Sequence, residues 1–212
     1  MRMRKKPNLN LRMEKCTQLL IPEPSLLRGK WREEFPFHDV HIELGCGKGT
    51  FAVQTAKDTQ QTLFVALEKL TNVLVSALEL AMADGLGNIR FINALADNIS
   101  EYFTQGEASR IYINFCDPWP LDRHAKRRLT HRRYLEQYKQ VLRPLGELHF
   151  KTDNLDLFEY SLREFDSCGF DIVEAIYDLH KNGTVGIMTE YEKKFHNEGK
   201  PIYRGVMVSK QG

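Results

Sequence analysis

Residues Asp117-Pro118-Trp119-Pro120 are followed by Leu121-Asp122-Arg123-His124-Ala125-Lys126-Arg127-Arg128, the stretch of this chain with the most chemistry in it. A carboxylate beside an aromatic plane, with a proline on each side of the ring, suits a planar base. From Arg123 to Arg133 stand Arg123, Lys126, Arg127, Arg128, Arg132 and Arg133 with two His and no acid. Such a run suits the phosphates that accompany a base. The apolar alternation Ile111, Ile113, Phe115 leads directly into Asp117. The group is therefore expected at a strand's carboxyl end, where open α/β sheets bind ligands. Each residue also has a plainer reading. Trp119 can pack beneath the loop, the cations can line a solvated helix face, and His124 can serve as a hydrogen-bonding partner.

A second cluster is Glu43-Leu44-Gly45-Cys46-Gly47-Lys48-Gly49. Glycines between a strand and a helix let the backbone turn sharply and approach a ligand closely. A phosphate-cradling P-loop would need Gly where Ile42 stands and Ser or Thr where Gly49 stands, so that reading fails. A dinucleotide fingerprint would need Gly at Thr50. The pattern E-x-G-x-G-x-G is instead similar to the first motif of S-adenosylmethionine-dependent methyltransferases. Glu43 favours a ligand carrying an ammonium and a sulfonium over a pyrophosphate. A glycine turn without a ligand is the plain alternative. Glu68, at the end of the second expected strand, is placed to hold ribose hydroxyls. Leu95 and Ala96, after the third, are placed where an adenine ring would lie.

Two more groups stand at strand or loop ends. Lys151-Thr152-Asp153-Asn154 closes the fifth expected strand, and Asp153-Asn154 can equally cap the helix that follows. Thr189-Glu190-Tyr191-Glu192 has the form of a capping box, but it also ends a long connection over the sheet's carboxyl edge.

The elements that must position these groups alternate in type. Apolar strand patterns at 40–44, 62–67, 89–93, 110–116, 147–152, 171–177 and 202–208 alternate with helical patterns near 49–58, 70–84, 97–104, 130–142 and 155–167. That order predicts an α/β, doubly wound, mostly parallel sheet. Leu155, Phe158, Leu162 and Phe165 set the clearest helix, with Gly169 as its stop. Pro144 and Gly146 predict a turn before the fifth strand. Residues 1–38 read as an irregular basic arm packed on the core, with one helical turn. Residues 39–212 read as one domain, in which 178–200 form a substrate loop.

With 212 residues, 42% apolar and 27% charged, the chain has the composition of one folded domain. The net charge of +2 is uninformative, but Arg2, Arg4, Lys5, Lys6, Arg12 and Lys15 face only Glu14 near the start. With the 123–133 block, this makes the positive field local, as a polyanion-binding surface requires. Cys16, Cys46, Cys116 and Cys168 form no C-x-x-C pair, which favours neither zinc nor disulfides and suits a reducing cytoplasm. No metal site is expected. No apolar run is long enough for a membrane span.

Taken together, the glycine turn, the Asp-Pro-Trp-Pro run, Lys151–Asn154 and Thr189–Glu192 resemble the bacterial tRNA (guanine-N7-)-methyltransferase family from about residue 40 onward. The resemblance implies a Rossmann-like, seven-stranded methyltransferase sheet whose last strand is antiparallel. It implies S-adenosyl-L-methionine as donor, S-adenosyl-L-homocysteine as product, and guanine 46 of the tRNA variable loop as acceptor. The partner would be tRNA and the compartment the cytoplasm, with a monomer or homodimer as assembly. Glu43, Gly45, Gly47, Glu68, Leu95, Ala96 and Asp117 would contact the cofactor, and Asp117 would also be the catalytic position. Trp119, Arg123, Lys126, Arg127, Arg128, Asp153, Thr189, Glu190, Tyr191 and Glu192 would contact the substrate. The family usually carries an acid where Leu95 stands and two lysines where Leu121 and Asp122 stand. Two rival readings are a class I methyltransferase acting on another RNA and a non-catalytic RNA-binding module with a degenerate pocket.

Overall fold

A computed structural model describes residues 6–209, so Arg2, Arg4 and Lys5 of the basic cluster lie outside the described residues. The strands are β1 (Asp39–Leu44), β2 (Thr62–Leu67), β3 (Ile89–Ile92), β4 (Ala108–Asn114), β5 (Leu142–Thr152), β6 (Phe170–Ile176) and β7 (Tyr203–Ser209). They form one sheet in the order β3-β2-β1-β4-β5-β7-β6. Pairings from β3 across to β5 are parallel, whereas β7 runs antiparallel to both β5 and β6. This is the expected doubly wound sheet with an antiparallel last strand.

The helices are α1 (Leu9–Glu14), α2 (Trp31–Glu34), α3 (Thr50–Asp58), α4 (Thr71–Ala83), α5 (Ile99–Tyr102), α6 (Arg132–Val141), α7 (Leu155–Ser167) and α8 (Glu190–Asn197). Side chains alternate across each strand, which builds two apolar layers. Val40, Ile42 and Leu44 of β1 meet Tyr138 of α6 and Phe158 and Phe165 of α7 on one face. On the other, Phe64, Ala66 and Tyr112 meet Phe51 and Ala52 of α3 and Leu74 and Leu78 of α4. β2 is buried along its whole length, as its continuous apolar run requires of a central parallel strand. Among the described residues no helix is long and apolar enough to cross a membrane.

Two local expectations change. Pro144 and Gly146 do not end a turn ahead of β5. Ala108 pairs with Leu142 and Arg110 with Glu147, so residues 143–146 bulge out of a strand that has already begun. In α7, Leu155 is exposed and Leu157 takes the buried place beside Phe158. The stop at Gly169 holds, at φ 76°.

The N-terminal segment is more built than an irregular arm with one turn. It holds α1, α2 and two short 3-10 turns. Ile21 N–H donates to Phe91 O at 2.9 Å, which closes the open edge of β3. Trp31 is fully buried, with its ring centroid 5.1 Å from Phe103 and 6.0 Å from Phe35. Its indole N–H donates to Tyr102 O at 2.8 Å. The buried Glu107 carboxylate accepts the backbone N–H groups of Gly29, Trp31 and Thr104 at 3.1, 3.1 and 2.8 Å. Part of the arm's positive charge is consumed locally. Arg12 meets Glu79 of α4 through two bonds of 2.6 Å, and Lys6 bonds Asn72 and Ser76.

Because Trp31 belongs to the main core, Trp31→Ala should cost about 3–5 kcal/mol, the range for deleting a buried ring. Urea unfolding measures it. A loss below about 1 kcal/mol, the size of a surface change, would show the segment to be a detachable arm.

Candidate active site

From β1 the chain moves outward through β2 to β3, then returns to β4 on the other side of β1. The crevice at this reversal is the usual ligand site of such sheets. Glu43 of β1 and Asn114 of β4 meet there, with Asn114 Nδ2 donating to Glu43 Oε1 at 2.9 Å. Glu43 Oε2 is buried without a hydrogen-bond partner among the described residues. Burial pushes the Glu43 carboxyl up to about 7, against the pull of the Asn114 bond and the Lys151 charge. An unpartnered carboxylate oxygen in this position is a receptor for a cation.

The glycine turn shapes the adjoining space. Gly45, Gly47 and Gly49 have φ of 81°, 59° and 82°, values that L side chains avoid. The Gly45 and Cys46 N–H groups donate to Leu67 O, each at 2.9 Å. A Cβ at Gly45 or Gly47 would meet nothing within 4 Å, so both border open space. A Cβ at Gly49 would lie 2.5 Å from the Ala77 Cβ. The third glycine therefore serves the packing of α3 on α4.

Glu68 closes the other side. Its Oε2 accepts from Gly47 N at 3.1 Å and its Oε1 from Leu70 N at 2.8 Å. Each oxygen keeps a lone pair for a hydroxyl. Asn93 ties this strand end to the next by donating to Glu68 O at 2.8 Å. Leu95 is exposed, and Ala96 opens the 3-10 turn behind it. Across the crevice lie the Glu43 carboxyl, the Glu68 carboxylate and the exposed Leu95 side chain.

Beyond β4 the backbone is strained, with Phe115 at φ 52° and Trp119 at φ 42°. Two non-glycine residues in the left-handed region enclose Asp117, a pattern that marks functional turns. Asp117 is exposed, and its carboxylate has no hydrogen bond or ion pair among the described residues. The turn is held by Arg128, whose guanidinium donates to Pro118 O at 3.1 Å and Trp119 O at 3.0 Å and lies 4.3 Å from the Tyr160 ring.

The cationic run is thus divided. Arg128 is buried in that contact, Arg132 pairs with Glu164 at 3.0 Å, and Arg133 approaches Asp97 at 3.7 Å. Arg123, Lys126 and Arg127 are exposed on a 3-10 turn, with Arg127 lying 4.9 Å from the Trp119 ring centroid. His124 meets the same ring edge-on. Trp119 is therefore neither a core residue nor an open stacking face.

The long connection folds back on β5. Lys151 Nζ donates to both Glu192 oxygens at 3.0 Å and to Ile187 O at 3.2 Å. His180 Nδ1 accepts from Val185 N at 3.2 Å, leaving Nε2 to donate to Glu192 Oε1 at 2.9 Å. The capping box is present, with Thr189 Oγ1 accepting from Glu192 N and Glu192 Oε2 accepting from Thr189 N. Glu192 is fully enclosed and Thr189 nearly so. Both are anchors of the loop. Glu190 and Tyr191 face outward, with Tyr191 61% exposed and its ring near-parallel to Phe115 and Phe195. Asp153 is half-buried beside the helix cap that Asn154 supplies to Leu157 N.

Asn114, His180, Phe115 and Lys48 belong to this site and were not singled out by the sequence. Asn114 had a signal. It shares a strand face with Tyr112, which is in register with Glu43. His180 had none, because its partner lies twelve residues away across a loop.

Known methyltransferases are similar to this chain in sequence and fold. A family model described as "putative methyltransferase" matches residues 38–205. The tRNA (guanine-N(7)-)-methyltransferase of Geobacillus kaustophilus is 45% identical over 207 residues, covering 96% of this chain and 95% of that protein. That of Bacillus cytotoxicus is 44% identical over 206 residues, covering 96% and 95%. Among solved structures, the 16S rRNA methyltransferase KamB superposes with a TM-score of 0.64 at 17% identity, covering 82% of this chain and 89% of that one. It shares the fold.

Glu43 gives this site a pH signature. Its carboxyl titrates near 7 when folded and near the ordinary carboxylate value when unfolded. Between those values the folded state keeps a proton that the unfolded state has lost, so stability falls as pH rises. The loss should total on the order of 3 kcal/mol by pH 8. Denaturant titrations of wild type and Glu43→Gln should agree at pH 4 and diverge above pH 5, with the variant more stable. Parallel curves would place Glu43 in water.

Proposed function

This chain belongs to the tRNA (guanine-N7-)-methyltransferase family, and we propose that it transfers the methyl group of S-adenosylmethionine to N7 of guanine 46 in the tRNA variable loop. One juxtaposition carries this reading. At a single strand reversal, the unpartnered Glu43 oxygen and the open glycine turn adjoin the strained turn that presents Asp117.

The residues fit the cofactor by chemistry. Glu43 would take its positively charged end, Glu68 its ribose hydroxyls, and Leu95 with Ala96 its adenine. Leu95 offers an apolar face in place of a carboxylate, which leaves recognition of the adenine edge to backbone groups. Bound there, S-adenosylmethionine supplies a methyl group activated by a cationic sulfur.

Guanine N7 carries an in-plane lone pair and no proton, so no general base is required. Alignment and electrostatic support decide the rate. Asp117 is free to accept from the guanine edge and to stabilise the positive charge that the purine gains. Reaching the base requires drawing it out of its tertiary contacts, which costs a few kcal/mol. Tyr191 offers an exposed ring to offset that, and Arg123, Lys126 and Arg127 offer exposed cations for phosphates. Leu121 supplies no charge there and Asp122 a negative one, so the basic surface begins at Arg123. Arg128 acts through the turn that it holds.

Incubation with unmodified bulk tRNA and labelled S-adenosylmethionine, followed by digestion to nucleosides, should place label in 7-methylguanosine alone. tRNA lacking guanine at position 46 should remain unlabelled. Label in another nucleoside would move the chain to a different RNA reaction, and no label with retained RNA binding would make it a binding module. Asp117→Ala should lower turnover by about 100-fold or more, the scale of a lost electrostatic contact, while cofactor affinity holds. Equal losses would confine Asp117 to cofactor binding.

A further inference from the structure

Lys48 lies inside the glycine turn, between two residues of left-handed conformation, Gly47 and Gly49. Its ammonium donates to Glu190 Oε2 at 2.7 Å, across 142 residues of sequence. Glu190 is the first residue of α8, and Tyr191 and Glu192 follow it. The head of α8 is thus tied at two places. Lys151 holds Glu192 inside the protein, with side-chain exposures of 11% and 0%. Lys48 holds Glu190 in solvent, with exposures of 60% and 47%. The buried tie fixes the loop to β5. The exposed tie is weak, and it is attached to a segment whose own hydrogen bonds sit at the cofactor crevice. Gly47, the residue before Lys48, donates its N–H to Glu68 Oε2.

We propose that Lys48 and Glu190 form a positioning latch, through which ordering of the glycine turn by the cofactor orders the head of α8 and sets Tyr191 over the crevice. Neither residue touches the reacting atoms in this role. The coupling is reciprocal, so tRNA seated against α8 tightens cofactor binding by the same factor. The coupling, though not the latch itself, rests on the cofactor reading above. A charge pair fits such a role better than an apolar contact. It is made or broken without reburying surface, and Lys48 once released is a mobile cation facing the RNA side.

Hydrogen exchange on the full chain tests this without relying on turnover. In the ligand-free protein, Lys48→Met and Glu190→Gln should each speed exchange across 190–198 by about two- to fivefold, the range that an exposed pair supports. The double variant should exchange no faster than the faster single, since a shared interaction can be lost only once. Lys48→Arg should match wild type. S-adenosylhomocysteine should slow exchange at 45–50 in every variant, but at 190–198 only where the pair is intact. Unchanged exchange in the singles, or additive effects in the double, overturns the latch. Equal protection of 190–198 in Lys48→Met overturns the coupling. Failure of S-adenosylhomocysteine to protect any segment would instead strike the cofactor reading, with the ligand-free comparison still deciding the latch.

Discussion

The structure is arranged around the crevice left where strand order reverses between β1 and β4. The two strands are neighbours in space but are separated in sequence by two complete strand–helix units, so no connection crosses their carboxyl ends. Glu43, itself buried, projects into that opening from β1. Its one unpartnered oxygen is tolerable because the carboxyl can hold a proton until a cation arrives. The glycines that follow keep backbone and no side chain along the rim. Asn114 on the opposite strand fixes the direction in which the carboxylate faces.

Around that opening the charged residues fall into two populations that composition does not separate. Arg128, Arg132, Lys151 and Glu192 are consumed by the protein itself, each satisfied by backbone or by an opposite charge. Arg123, Lys126, Arg127 and Asp117 are exposed. Burying a charge is costly unless it is paired, so the consumed group builds the loops and the exposed group is left to solvent. The turn from Phe115 to Trp119 shows both at once, since Arg128 beneath it holds the strain that presents Asp117 above it.

The sheet and its carboxyl-edge residues were legible because they rest on short-range pattern. Period-two alternation placed the strands, and the glycine turn and Asp117 followed from their positions at strand ends. What stayed hidden depends on distant partners. Trp31 gave no sign of belonging to the core, because Phe103 and Glu107 are more than seventy residues away. Pro144 and Gly146 spelled a turn correctly in local terms, but pairing with β4 began five residues before Glu147 and converted the turn into a bulge. Thr189 and Glu192 carried a capping-box pattern that could also be read as a site, and only the burial of Glu192 against Lys151 decided between them. The six cations looked alike in sequence because an arginine's partner is not written beside it.

Glu107 recognises Gly29 and Trp31 by their backbone N–H groups alone, and that fact has a consequence in time. The segment at 29–31 leaves the ribosome well before its acceptor. Trp31 and Glu107 are separated by 76 positions, which takes roughly 4–15 s at translation rates of about 5–20 residues per second. Throughout that interval Trp31 has Phe35 beside it but neither Phe103 to stack on nor the Glu107 carboxylate to dock against. The segment at 29–31 therefore docks only after Phe103 and Glu107 have been made.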